Sequence, residues 1–364
     1  MLVSLALMTN DELYMHRCLQ LAQLAAGHTA PNPMVGSVLV HNGLIIGEGY
    51  HKQYGLPHAE VNCINNVAED DKHLISLSTL YVSLEPCAHW GKTPPCANLI
   101  IKNNIPKVVV GCRDPFKQVD GKGTEKLEKA GVEVIQGVLE NECRNVNKRF
   151  FTFHTQNRPY ILLKWAQTAD SKIANLSTDR LFITNDITNK LVHKWRSEEA
   201  AILVGTKTAL LDDPSLTNRL WAGKSPIRLV IDMDLSLPSQ LQLFDQQQRT
   251  IVFNTVKHEE DGNILYYQVT EDVSIVNQIV NACYQNNIQS VMVEGGAKLL
   301  QSFIDEGLWD EANIITNSIL FVGDGLPAPV LKDFIFQHSE KIFTDRINYF
   351  HRSAFPIYNN LNQA

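Results

Sequence analysis

Three side chains of metal-ligand type lie far apart along this chain, and a fold that uses them must bring them to one point. His58-Ala59-Glu60 comes first, and Glu85-Pro86-Cys87 and Pro94-Pro95-Cys96 follow about one strand and one loop later. A histidine and two cysteines give three protein ligands to one zinc ion and leave the fourth tetrahedral position for water. The surrounding sequence is built for such a meeting. A helix beginning at or just after Pro57 puts His58 and Glu60 in its first turn. The apolar run from Leu80 to Leu84 reads as a short buried strand that delivers Glu85-Pro86-Cys87 at its end, and Cys96 opens another helix through Ile100 to Lys102. Strand ends and helix starts also present main-chain N–H groups that support thiolates.

Glu60, two residues past the histidine and not itself a ligand, stands where a general acid/base would move the protons of that water. His/Cys/Cys with a nearby glutamate is the layout of the zinc deaminases, in which zinc makes hydroxide available near neutral pH. One feature departs from their short Pro-Cys-x-x-Cys signature: eight residues, Ala88 to Pro95, separate Cys87 from Cys96. The alternatives are a structural zinc site, or unrelated buried cysteines with a surface histidine. HxE alone is weak, whereas HxE followed by two Pro-Cys pairs in an α/β context is specific. His89 is a rival ligand. It ranks below Cys96, because His58, Cys87 and Cys96 already fill three positions and leave the open one for water. His89 and Lys92 fit better as substrate contacts; the alternative is a solvated loop.

The chain has 364 residues, which favours two or three domains. Lys and Arg number 32 against 39 Asp and Glu, a net charge of −7 that argues against a broad nucleic-acid surface but leaves room for a small phosphorylated substrate. Seven scattered cysteines do not look like a disulfide framework and point to a reducing cytoplasm. The apolar opening, Met1 to Met8, lacks the basic flank and length of a signal core, and Met8 could itself be the start. No stretch approaches a membrane span.

Further elements follow from periodicity. Asp11 to Gly27 reads as a helix with Leu13, Leu21 and Leu24 on one stripe. Pro31-Asn32-Pro33 is a rigid loop. Val35 to Val40, Asn42-Gly43 and Leu44 to Ile46 signal a hairpin. Val108 to Val110 (strand), Gly123 to Ala130 (helix), Val132 to Ile135 (strand) and a helix around Leu139 to Phe151 complete an α/β layered domain. Asn157-Arg158-Pro159 marks a boundary, and the expected domains are 1–154 and 155–364. The second domain has predicted strands at 160–165, 201–204, 227–231, 250–253 and 291–293. Its predicted helices cover 186–196, 273–285 and 297–306, with a polar surface loop at 238–248. Beyond Gln337 the sequence gives no firm element and ends in a polar tail. Val291-Met292-Val293-Glu294-Gly295-Gly296-Ala297 reads as strand, glycine turn and helix start, a place that suits a phosphate, although an unliganded tight turn is an equally fair reading. Asp212-Asp213-Pro214 reads as a plain helix stop.

The runs Ala30-Pro31-Asn32-Pro33-Met34-Val35-Gly36, Gly47-Glu48-Gly49-Tyr50-His51, His58-Ala59-Glu60 and Glu85 to Cys96 strongly resemble the bifunctional riboflavin-biosynthesis deaminase–reductases. The long loop to Cys96 is the discriminating piece. The resemblance implies a cytidine-deaminase-like three-layer domain followed by a dihydrofolate-reductase-like α/β domain. It implies zinc-dependent deamination of 2,5-diamino-6-ribosylamino-4(3H)-pyrimidinone 5′-phosphate, then NADPH-dependent conversion of the ribose to a ribityl chain. It assigns His58, Cys87 and Cys96 to one Zn²⁺ and Glu60 to proton transfer. Asn32, His51, His89 and Lys92 would meet the deaminase substrate, with turn capping as the plainer role of Asn32. Ala166, Phe182, Thr208, Asp212 and Gly296 would meet NADPH. Arg180, Arg196, Leu216, Arg219 and Glu294 would meet the reductase substrate, the arginines clamping its phosphate. The plainer readings are a solvated helix end for Arg196 and a surface loop for Arg219.

Some positions depart from the family. An Asp-Gly pair is usual where this chain has Asp170-Ser171, and a Ser and a Trp where it has Arg180 and Phe182. The glycine matters only if Ser171 needs a positive φ. A cytoplasmic homo-oligomer, dimer or tetramer, acting on a small phosphorylated pyrimidine without nucleic acid or membrane is the expected setting. The alternatives are a deaminase with an impaired reductase domain, a tRNA or nucleobase zinc deaminase, and a non-catalytic zinc-stabilised module.

Overall fold

The computed structural model describes residues 8–90, 94–116, 119–176 and 181–353, which divide into two compact units between Gln156 and Asn157. Among these residues no helix is long and apolar enough to cross a membrane.

The first unit contains α1 (Asn10–Gln23), β1 (Gly36–His41), β2 (Leu44–Tyr50), α2 (Ala59–Asn65), β3 (Thr79–Leu84), α3 (Cys96–Lys102), β4 (Lys107–Cys112), α4 (Lys122–Lys129), β5 (Glu133–Gln136), α5 (Glu140–Val146) and α6 (Lys148–Gln156). Its sheet runs β2-β1-β3-β4-β5, with β3, β4 and β5 parallel and β1 antiparallel to both of its neighbours, β2 and β3. Parallel strands covered on both faces read as continuous apolar runs, which is why Leu80 to Leu84 and Val108 to Val110 stand out in the sequence. Their side chains alternate between two cores. Leu39, Leu80, Val82, Val108 and Val110 meet α2, α3 and α4, whereas Val38, Tyr81, Leu84 and Val109 meet α1, α5 and α6. The layers are therefore helix, sheet, helix. Asn42 and Gly43 both take positive φ, as the two-residue hairpin turn demands.

Two helix readings need correction. In α1 the buried face is Met15, Cys18, Leu19 and Ala22, an i, i+3, i+4, i+7 set, while Leu13 and Leu24 are exposed. Only Leu21 of the expected stripe is buried; weighing leucine alone overlooks Met, Cys and Ala as core residues. The helix expected over 139–151 is two helices that meet at Asn147.

The second unit contains β6 (Tyr160–Gln167), β7 (Lys172–Asn175), α7 (Asp186–Glu198), β8 (Ala201–Val204), α8 (Thr206–Asp212), β9 (Ile227–Ile231), β10 (Thr250–Asn254), β11 (Glu259–Asp261), β12 (Ile264–Gln268), α9 (Ile275–Gln285), β13 (Ser290–Val293), α10 (Ala297–Asp305), β14 (Glu311–Asn317), β15 (Gly325–Pro327), β16 (Phe334–Ile342) and β17 (Asp345–Arg352). The main sheet runs β11-β12-β10-β9-β8-β13-β6-β14-β17-β16, and β7 and β15 form a separate ribbon. From β12 to β14 the neighbours are parallel, and the β16–β17 hairpin is antiparallel at one edge. Helices α9 and α10 cover one face, over Ile161, Leu163, Ala201 and Val291. Helices α7 and α8 cover the other, over Leu162, Ile202 and Met292.

The region beyond Gln337, without a firm reading from sequence, is largely strand as far as Arg352. Its outward polar residues dilute the apolar signal on a half-exposed hairpin. The loop expected at 238–248 contains a short 3-10 turn, Gln242–Phe244, with Leu243 buried.

Ser171 has φ 57, so the turn between β6 and β7 does take the conformation that favours glycine. The turn is nonetheless well bonded: Lys172 N–H donates to Thr168 Oγ1 at 3.0 Å and Ser171 N–H to the Thr168 carbonyl at 3.0 Å. Ser171→Gly should therefore raise the stability of the second unit by about 0.5–1 kcal/mol in urea denaturation. A loss of stability would show that the serine side chain contributes more than the backbone strain costs.

Candidate active sites

The first site forms where β3, α2 and α3 end or begin. His58 is the N-cap of α2, Cys96 is the first residue of α3, and Cys87 follows the end of β3 by three residues. His58 Nδ1 lies 3.6 Å from Cys87 Sγ and 3.4 Å from Cys96 Sγ. All three ligand atoms lie within 4.8 Å of one another. A nitrogen and a sulfur bound to one tetrahedral zinc are about 3.6 Å apart, so the three residues fit that ion without rearrangement. The donor set favours zinc over hard oxygen-loving cations.

The electrostatics agree. The Cys96 N–H donates to Cys87 Sγ at 3.4 Å. Hydrogen bonding from the Cys96 thiol and from His58 pulls the Cys87 thiol well below its ordinary value, and the same bond together with burial pushes Cys96 up. The Cys87 contact raises His58. Glu60, in the first turn of α2, is only 4 % exposed, and burial pushes its carboxyl up despite the nearby His58. That places a proton carrier beside the ligand cluster.

Asn32 and His51 are brought together. His51 Nδ1 lies 3.1 Å from the Pro57 carbonyl, and a carbonyl only accepts, so Nδ1 carries the proton. Nε2 is then the acceptor for Asn32 Nδ2 at 3.1 Å. Burial lowers the His51 pKa and keeps it neutral for this task. Both ring nitrogens of His51 are thus engaged inside the protein, and the half-buried Asn32 is the more accessible of the pair. His89 packs edge-on against Phe116 with centroids 6.2 Å apart, and its Nδ1 is buried without a hydrogen-bond partner among the described residues. Such a nitrogen costs about 1–3 kcal/mol unless a ligand meets it. Lys92 lies outside the described residues.

Two supporting residues have no role assigned to them from the sequence. Asn147, at the junction of α5 and α6, accepts from Met34 N–H at 2.7 Å and donates to the Met34 carbonyl at 2.8 Å, pinning the loop that holds Asn32. Glu85 is buried and accepts from four main-chain N–H groups, those of Gly121 and Gly123 at 2.9 Å and of Asp114 and Thr124 at 3.3 Å. A side chain at Gly123 would meet the Pro86 carbonyl at 1.9 Å, so this approach requires glycine.

The second site gathers at the carboxyl ends of β13 and β6. Glu294 follows β13 directly. It accepts from Arg196 Nε and Nη2 at 2.9 Å and from Lys164 Nζ at 2.8 Å. Burial alone would push Glu294 up, but Arg196 and Lys164 outweigh it and hold the carboxylate at about 2. Lys164 is absent from the sequence expectation, although a lysine inside the apolar run Tyr160 to Trp165 is an identifiable signal. Arg219 and Arg196 converge on Thr217: Arg219 Nη1 donates to its Oγ1 at 3.0 Å and Arg196 Nη1 to its carbonyl at 3.4 Å. Leu216 is buried in the core with φ 50, which leaves its main chain as the contact group.

On the cofactor side, Thr208 of α8 lies against Gly295 and Gly296. A Cβ at Gly295 would meet Thr208 at 2.8 Å, and Gly296, with φ 83, caps α10. The structure thus joins Thr208 to the glycine turn. Asp212 ends α8, followed by Asp213 in the left-handed C-cap conformation, so the helix stop read from sequence is real. Ala166 is half-buried on β6, and Phe182 is exposed. Arg180 lies outside the described residues.

Fold and site together define a deaminase unit with a zinc-type ligand set joined to a second α/β unit carrying a cluster of cationic side chains around Glu294. Residues 8–112 match the cytidine and deoxycytidylate deaminase zinc-binding region, and residues 159–338 match the RibD C-terminal domain. The riboflavin biosynthesis protein RibD of Aquifex aeolicus is 40% identical over 321 residues, covering 87% of this chain and 89% of that one. RibD of Escherichia coli is 34% identical, covering 83% and 86%. A diaminohydroxyphosphoribosylaminopyrimidine deaminase/5-amino-6-(5-phosphoribosylamino)uracil reductase from Thermotoga maritima superposes with a TM-score of 0.86 at 36% identity, covering 94% of this chain and 99% of that one. The chain belongs to the RibD family of riboflavin biosynthesis, with a cytidine-deaminase-like domain and a reductase domain of dihydrofolate-reductase type.

Two outcomes follow from these geometries. Glu85→Gln turns an acceptor toward which four N–H groups point into a group that brings donors of its own. It should cost about 2–3 kcal/mol and weaken zinc binding tenfold or more, read by thermal denaturation and chelator competition. Unchanged zinc affinity would show that Glu85 does not orient the ligands. For Glu294, a folded value of about 2 against an ordinary carboxylate value of 4.5 means that its stabilisation is complete above about pH 4.5 and is lost as pH falls toward 2. The change is on the order of 3 kcal/mol. The second unit should lose stability across that window, and E294Q should lose less of it; equal slopes in the two proteins would refute the assignment.

Proposed function

We propose that this chain carries out two consecutive steps of riboflavin biosynthesis. The first is zinc-dependent deamination of 2,5-diamino-6-ribosylamino-4(3H)-pyrimidinone 5′-phosphate. The second is NADPH-dependent reduction of 5-amino-6-(5-phosphoribosylamino)uracil to the ribitylamino product. The observation that carries the reading is the meeting of His58, Cys87 and Cys96 within 4.8 Å, with Glu60 buried beside them.

In the deaminase, His58, Cys87 and Cys96 would hold one zinc ion, which would supply Lewis acidity for hydrolysis. Glu60 would carry a proton from the attacking water to the amino group that departs as ammonia. Asn32, oriented by His51, grips the pyrimidine edge. His89 brings a ring nitrogen that has no partner among the described residues, and Lys92 would supply charge. In the reductase, Ala166, Phe182, Thr208, Asp212 and the Gly296 turn would hold NADPH, which would supply the hydride. Arg196 and Arg219 clamp the substrate phosphate, with the Leu216 main chain beside them, and Arg180 is a further substrate contact. Glu294, held ionised by Lys164 and Arg196, is a fixed acceptor for ribose hydroxyls.

All seven cysteines are free, which supports a reducing cytoplasm. The acidic balance of −7 supports a small-molecule substrate over nucleic acid. A homo-oligomer is part of the reading and is checked by light scattering.

A coupled assay with the diaminopyrimidine ribotide should release ammonia and then oxidise NADPH. Ammonia without NADPH oxidation would overturn the reductase half. Glu60→Gln should keep its zinc and lose deamination by about 10²–10⁴-fold, while still oxidising NADPH on already deaminated substrate. Full deamination by E60Q would remove Glu60 from the mechanism.

A further inference from the structure

His193 has no part in the assignments above, yet it sits in the second site. It belongs to α7, three residues before Arg196 and so on the same face of that helix. It is 2 % exposed, and its Nδ1 accepts the main-chain N–H of Arg219 at 3.0 Å. An N–H only donates, so Nδ1 is unprotonated and the ring is neutral. Burial and the charges of Arg196 and Arg219 hold its pKa down at about 4, consistent with that geometry.

The segment it holds is costly to shape. Asp213 and Leu216 both take positive φ without being glycine. Several ties fix the segment from different sides. Arg228, itself buried, donates to the Ser215 carbonyl at 2.9 Å, Gln242 N–H donates to Asp213 Oδ1 at 2.7 Å, and Asn218 N–H donates to Ser225 Oγ at 3.1 Å. The His193 bond differs from these. It ties the main chain of Arg219 to the helix that carries Arg196, and the two guanidinium groups then meet at Thr217.

We infer that His193 is a positioning residue that sets the spacing of the Arg196–Arg219 pair and so tunes the reductase site for a phosphate dianion. The inference rests on the reductase reading given above. Two guanidinium groups bind a dianion well only at matching distance and orientation. Loss of the bond should therefore weaken binding of the phosphorylated substrate and leave the hydride step alone.

The test compares the full-length protein with H193L, H193A and H193N on 5-amino-6-(5-phosphoribosylamino)uracil and on its dephosphorylated riboside. H193L and H193A should raise KM for the phosphorylated substrate about tenfold, the loss of one buried hydrogen bond. The kcat, the KM for NADPH and turnover of the riboside should stay near wild type. H193N, whose amide oxygen can replace Nδ1 as acceptor, should recover most of the KM. Unchanged KM in H193L and H193A overturns the inference, as does an equal loss on both substrates or a failure of H193N to recover. If H193L does not fold, H193A and H193N decide on the same criteria. A wild-type protein that oxidises no NADPH would instead overturn the reductase reading itself.

Discussion

A carboxylate taken out of water must be given partners, and both sites of this protein are organised by that requirement. Glu85 follows β3 directly and Glu294 follows β13 directly, each at the carboxyl end of a parallel strand inside its sheet. An unpaired charge there would cost several kcal/mol. The protein meets the demand in two ways. Glu85 is surrounded by four main-chain N–H groups from the segment after β4, so the charge becomes a clasp that draws this segment onto the strand end. Glu294 is paired with two cations, Lys164 and Arg196, so the charge becomes the fixed centre of a polar cluster.

The chemistry follows from what each clasp positions. Cys87 lies two residues beyond Glu85 and is held where the starts of α2 and α3 bring His58 and Cys96. The same strand-end position in the second unit puts Glu294 next to the Gly295-Gly296 turn, between its two cationic partners and the start of α10. Ligands of open α/β sheets bind at the carboxyl ends of strands, and both sites obey that rule. Polar supports such as Asn147, His51 and His193 then tie loops to the helices and strands around them.

Legibility in the sequence tracked the strength of local signals. Doubly covered strands such as Tyr160 to Trp165 announce themselves because every side chain is apolar or nearly so, and the one exception, Lys164, pairs with Glu294. The zinc ligands were legible because Cys and His at strand and helix ends have few other uses. Half-exposed strands were not legible: β16 and β17 alternate with polar residues and resemble a tail. The buried face of α1 was misassigned because Met15, Cys18 and Ala22 pack as well as leucine does. Asn147 and His193 could not be found, because an asparagine or histidine becomes a support only when a main chain from a distant segment arrives opposite it.

The sequence alone determined the alternation of strands and helices, the boundary near Asn157-Arg158-Pro159, and the residue types that can bind zinc and carry protons. These rest on local periodicity and on chemistry intrinsic to a side chain. The tertiary structure decided which polar groups are partners. It turned His51 into the acceptor that orients Asn32, gave Glu85 its four donors, and paired Glu294 with Lys164 as well as Arg196. Hydrogen bonds and ion pairs span only a few ångströms but link residues up to 130 positions apart in the second site. Packing of the sheets and helices supplies that proximity, and no local pattern in the chain records it.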